Sequence, residues 1–174
     1  MLLRRMADFQ PELVEAAYTE LGASNAEYRA AHNRWQSMLR SRRAPEGLDL
    51  YRAVLGPPDV ERAQRWGDVS LTASSWQLPG LWPQLRFETL IGVGDAVLHG
   101  WLVRSPDEPA PALPKPEHIA PWSCVVGDVQ ARFPDAQQAD PQVPSQWLAL
   151  VTDEIGREWK LIFVHGLLQI VQIT

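Results

Sequence analysis

The stretch W147-LALVTDEIGREWKLIFVHGLLQIVQ-I173 decides the fold. Three apolar runs are separated by two turn signals, Asp153 to Arg157 and His165-Gly166, the pattern of a three-stranded antiparallel meander. His-Gly suits a two-residue turn because such turns need positive φ, which glycine supplies at little cost. Closing the hairpin there pairs Val164 with Leu167, Phe163 with Leu168 and Leu161 with Ile170. A five-residue loop at Asp153–Arg157 pairs Val151 with Trp159 and Ala149 with Leu161. Side chains alternate along a strand, so Trp147, Ala149, Val151, Trp159, Leu161, Phe163, Leu168 and Ile170 share one apolar face that needs a cover. The opposite face carries Glu158, Lys160, Ile162, Val164, Leu167, Gln169, Val171 and Ile173. Its aliphatic residues are too many for a solvated surface and suggest a homodimer through the C-terminal strands.

The rest of the chain supplies a cover. Pro11 suits a first helical position and Glu12–Leu21 has helical apolar spacing, with Gly22 as its stop. Ser24 and Glu27 form a capping box that opens a helix to about Ser41, with Tyr28, Ala31, Trp35, Met38 and Leu39 along one stripe. Pro45–Leu55 reads as a third helix, and Asp59 to about Trp66 as a fourth. Met1–Arg5 reads as a loose tail. After Gly67 the sequence turns to strands: Val69–Trp76, Leu85–Ile91, Ala96–Arg104 and Trp122–Val129, with a turn at Leu78–Pro83. Ser105–Pro121 has six prolines in seventeen residues and reads as a long surface loop. Gln130–Gln146 is proline-punctuated and irregular. Helices first and antiparallel strands after predict an α+β fold: about four N-terminal helices on a mainly antiparallel sheet of five or six strands. The helix stripe around Trp35 is the natural lid for the Trp159/Phe163 face.

At 174 residues the chain fits a single domain, with residues 1–8 as a tail, 9–66 as a helical layer and 67–174 as the sheet. A formal charge of −5 argues against broad nucleic-acid binding. One cysteine, Cys124, fits a reducing compartment. The start has no apolar signal core, and no run is long enough for a membrane span, so a soluble cytoplasmic protein is expected.

The sharpest constellation for chemistry is in the Leu85–Arg104 hairpin. With Gly92 opposite Asp95, Glu88 faces His99 and Arg86 faces Trp101. A carboxylate beside an imidazole raises the ring's pKa and orients it as a general base, which points to a hydrolase as one reading. A guanidinium over an indole makes a cation–π pair. Trp76, Trp82 and Trp122, beside prolines, could together line a binding groove. Arg29, Arg34, Arg40, Arg42 and Arg43 against the single acid Glu27 make the helix at 24–43 a candidate anion or nucleic-acid surface. Four scattered histidines have no metal-ligand spacing, and no dinucleotide, phosphate-loop or nucleophile-elbow motif is present, so neither metal nor cofactor is expected. The reading that results is a binding module for a protein or small ligand.

Overall fold

The computed structural model describes residues 2–78, 80–141 and 143–174. Four N-terminal helices, α1 (Leu2–Met6), α2 (Pro11–Glu20), α3 (Asn25–Leu39) and α4 (Gly47–Leu55), precede a sheet of β1 (Val60–Trp66), β2 (Val69–Gln77), β3 (Leu85–Ile91) and β4 (Val97–Arg104). A further helix, α5 (Val126–Arg132), precedes a second sheet of β5 (Gln137–Ala139), β6 (Gln146–Thr152), β7 (Glu158–Val164) and β8 (Leu167–Ile173). Both sheets are antiparallel meanders in chain order. The α+β class and the C-terminal meander hold, while the expected single sheet of five or six strands is two sheets of four.

Two elements change type, each for a visible reason. Residues 60–66 form β1 and not a helix, because their whole length pairs with β2 around the turn at Gly67 (φ 58°). Asp59 caps no helix; its carboxylate accepts the Gln77 N–H at 2.6 Å. Trp122–Val129 is not a strand. Asp128 Oδ2 accepts the Val125 N–H at 2.9 Å, satisfying a free amide at the start of α5. At the N-terminus, residues 2–6 are helical and Met6 is fully buried. In the turn at 78–83, Pro79 lies outside the described residues, as do Met1 and Gln142 in their segments.

Register is where prediction and structure agree best. His165 and Gly166 have φ of 47° and 81°, the two positive values of the expected tight turn. Val164–Leu167, Phe163–Leu168, Val151–Trp159 and Ala149–Leu161 pair as expected. Beyond Leu168 a bulge shifts β8 by one residue, so Leu161 faces Val171 and not Ile170. The bulge leaves Gln169 fully buried, its side chain accepting from Trp122 Nε1 and donating to the Leu167 carbonyl. Val171 therefore joins the core face.

The cover of that face is local. Phe163, Leu161, Leu168 and Val151 pack with Val126 and Val129 of α5, Cys124, Ile119 and Leu113. The Trp35 stripe is not the lid: α3 has no buried residue at all. The N-terminal helices pack instead on the first sheet, where Met6, Val14, Tyr18 and Leu48 meet Trp76, Leu85 and Phe87. Val164 and Leu167, on the opposite face of the meander, belong to this same cluster. The chain thus covers part of the surface that suggested a second copy.

The sheets meet at the β7–β8 turn. The Leu102 N–H of β4 donates to the His165 carbonyl at 2.7 Å, and the His165 ring lies 3.1 Å from the Gly100 carbonyl, which requires the proton on Nδ1. Arg104 of β4 grips Asp128 of α5 with two hydrogen bonds of 3.0 and 2.6 Å. Cys124 is 1% exposed, and burial pushes its thiol up to about 12. A thiol-specific chromogenic reagent at pH 8 is expected to react with it only after unfolding; prompt reaction of the native protein would count against this burial.

Candidate functional site

A groove of about 510 Å³ runs between α3, α4 and the side chains of Leu78, Leu81 and Trp82. The capping box fixes the start of α3: Glu27 Oε2 accepts the Ser24 N–H at 2.8 Å, and the Ser24 hydroxyl accepts the Glu27 N–H. From there Tyr28, Ala31, His32 and Trp35 fall on one side of the helix and form one wall. Val54 and Leu55 of α4 form the facing wall, with Leu78, Leu81 and Trp82 beyond them and Phe87 of β3 also lining the space. Leu21, Val54 and Leu55 are 44%, 49% and 37% exposed, so a continuous apolar surface stands open to solvent.

Three further observations concentrate here. The Tyr28 hydroxyl and His32 Nδ1 are buried without a hydrogen-bond partner among the described residues. They sit four residues apart on the same side of α3, and burial raises the Tyr28 pKa above its ordinary value. Trp82 adopts φ 48°, a costly conformation for a bulky side chain, and packs edge-on against Trp122 (φ 63°) with ring centroids 5.2 Å apart. Strained backbone of this kind concentrates at ligand clamps. A second cleft of about 470 Å³ is also lined by Tyr28 and His32, and the Tyr18 and Tyr28 rings stack there with centroids 5.3 Å apart.

The residues singled out from sequence fall elsewhere, with one exception. Trp82 lines the groove, and Trp122 packs edge-on against the Trp82 ring without lining it. Trp76 is core, 2% exposed, its indole donating to the Gly56 carbonyl at 3.0 Å. The β3–β4 register differs by two residues from the expected one, because the connection Gly92–Ala96 is longer and a bulge follows Leu90. Glu88 therefore faces Trp101, His99 faces Leu90 and Arg86 faces Val103. Arg62 engages Glu88 with hydrogen bonds of 2.9 and 3.1 Å. The His99 ring stacks on Trp101 at 4.4 Å and borders a separate cleft with Tyr51 and His165, which Glu88 does not line. Arg86 makes no cation–π contact with Trp101; two of its guanidinium nitrogens are buried without a partner, with Asp59 at 3.8 Å. Arg29, Arg34, Arg40, Arg42 and Arg43 are all exposed and form no ion pair among the described residues. No group of three potential metal ligands occurs among the described residues.

Burial lowers the pKa of both His99 and His165, against the raised value expected for His99; the Glu88 charge pulls upward but burial outweighs it. A lowered histidine pKa means the unfolded chain binds the proton more readily. Stability is then complete above the ordinary imidazole value of about 6.5 and falls as pH drops below it. The denaturation midpoint should be lower at pH 5.5 than at pH 7.5; an equal or higher midpoint at pH 5.5 would contradict both burials.

The sequence does not reveal the groove, because the apolar stripe of α3 lines open space and does not cover the C-terminal meander. The Tyr28–Trp35 stripe was a true signal for an apolar helix face, but nothing in it tells a buried face from an open one. No protein-family model matches the chain, and no curated protein does. No helix of the described residues is long and apolar enough to cross a membrane. Among solved structures the chain is similar to a candidate beta-lactamase inhibitor protein from Streptococcus mutans, with 10% identity, 87% of this chain and 97% of that one covered, and a TM-score of 0.33, a likeness too slight to carry an argument.

Proposed function

We propose that this protein works by binding, and that a small apolar ligand occupies the groove between α3 and α4. The observation that carries the reading is the groove itself: an open apolar concavity of about 510 Å³, in the usual size range of ligand sites. A structural helix face would have closed over such a surface; α3 contributes no buried residue and leaves it open. A hydrolytic role for Glu88 and His99 has less support, since Arg62 holds the carboxylate and the histidine's cleft lies apart from it.

The test uses 1,6-diphenylhexatriene, an apolar dye that fluoresces when removed from water. Saturable one-to-one binding is expected. Ala31→Phe, at an exposed position on the groove wall, should fill the space and abolish it with little loss of stability. Absence of saturable binding, or binding indifferent to Ala31→Phe, would refute the proposal.

A further inference from the structure

The walls of the groove narrow the class of ligand, and this step rests on the binding role proposed above. Six of the eighteen lining residues are aromatic, whereas aromatic residues make up 9% of the chain. Leucine and valine would make a wall just as apolar. What rings add is a negative face and a positive edge, which favour another ring beyond the area buried. Most of these rings are held from outside the groove. Tyr51 and Phe87 lie 5.5 Å apart, and both pack on Trp76, whose indole donates to the Gly56 carbonyl. Trp82 meets Trp122 at 77°, and the Trp122 indole donates to the fully buried Gln169. In that edge-to-face pair Trp122 leaves at least one face of the Trp82 indole uncovered. Trp35 pairs with no other ring among the described residues. No methionine, the side chain that best reshapes itself around an arbitrary ligand, lines the groove among the described residues.

We infer that the groove takes a flat, fused-ring aromatic ligand in preference to a saturated one of the same skeleton, with Trp35 and Trp82 as the rings that receive it. Walls held in place select by shape as well as by polarity. A flat ring system lies against an indole face, whereas a puckered saturated one stands off it on its axial hydrogens and forfeits part of the contact.

The experiment is titration calorimetry with 2-naphthol and decahydro-2-naphthol, which share one carbon skeleton and one hydroxyl, are both uncharged at pH 7, and differ in aromaticity and flatness. 2-Naphthol should bind about 2- to 12-fold tighter, the worth of one ring pair beyond burial. Trp35→Leu should narrow the gap, and Trp35→Leu with Trp82→Leu should bring the two affinities within twofold of each other. Trp35 stands on a helix with no buried residue, so its single variant keeps the fold and reads the effect by itself. If 2-naphthol fails to bind, binds no better than the saturated alcohol, or keeps its full preference in the variants, the inference is wrong. The binding role then still stands on saturable uptake of 1,6-diphenylhexatriene. If that dye does not bind, both fall together.

Discussion

Asp128→Ala is expected to destabilise the protein by about 3–5 kcal/mol, because it leaves the Arg104 guanidinium mostly buried and without its partner. The pair is bidentate, and the two side chains are 17% and 3% exposed. Asp128 also satisfies the Val125 amide at the head of α5, so the variant loses a helix cap as well. Arg104→Met combined with Asp128→Leu should be far less damaging. A well-packed apolar pair often replaces a buried ion pair without loss, which leaves mainly the cap, worth about 1 kcal/mol. Equilibrium denaturation followed by tryptophan fluorescence measures both. A single variant within 1 kcal/mol of the parent, or a double variant worse than the single, would mean that the pair does not join α5 to the first sheet.

The second large effect separates two glycines with nearly the same φ. Gly156 and Gly166 have φ of 82° and 81°. A Cβ at Gly156 meets nothing within 4 Å, whereas one at Gly166 would sit 2.5 Å from the Leu102 carbonyl oxygen and 3.1 Å from its nitrogen. Gly156→Ala should therefore cost only the left-handed conformation, about 1–2 kcal/mol. Gly166→Ala adds a clash with backbone that cannot rotate away, for a total of about 2–5 kcal/mol. The crowding arises because the hairpin tip docks against β4 through the Leu102–His165 hydrogen bond. Equal losses at the two positions would show that the tip stands clear of the first sheet.

Much of this architecture was legible in the residues. The meander could be read because its turn chemistry and its alternation agree: His165-Gly166 demands a tight hairpin, and an apolar face two residues in period follows from it. The capping box Ser24–Glu27 located α3 for the same reason. The failures are also physical. Val60–Trp66 has no strong period, so its pairing with β2 decided its state, and the sequence around it gave no signal of that contact. The two-residue error in the β3–β4 register came from reading a four-residue turn where the chain uses a longer connection, and it separated Glu88 from the position facing His99. The bulge at Gln169 was invisible because a glutamine within an alternating strand looks like an ordinary outward residue.

The site was the least legible part. The apolar stripe of α3 and Trp82 are both visible in the sequence, 47 positions apart from Trp35 to Trp82, with nothing to link them. Only the packing shows that they face one space. The ion pair of Arg104 and Asp128 left no trace either, since the two residues are 24 positions apart and fall in what read as two strands.

The most direct test of the central claim is the backbone amide spectrum of the isotopically labelled protein during titration with 1,6-diphenylhexatriene. The groove predicts saturable shifts concentrated at Tyr28, His32, Trp35, Val54, Leu55 and Trp82, and their loss in Ala31→Phe. Shifts concentrated instead around His99, Trp101 and His165, or spread without saturation, would contradict it.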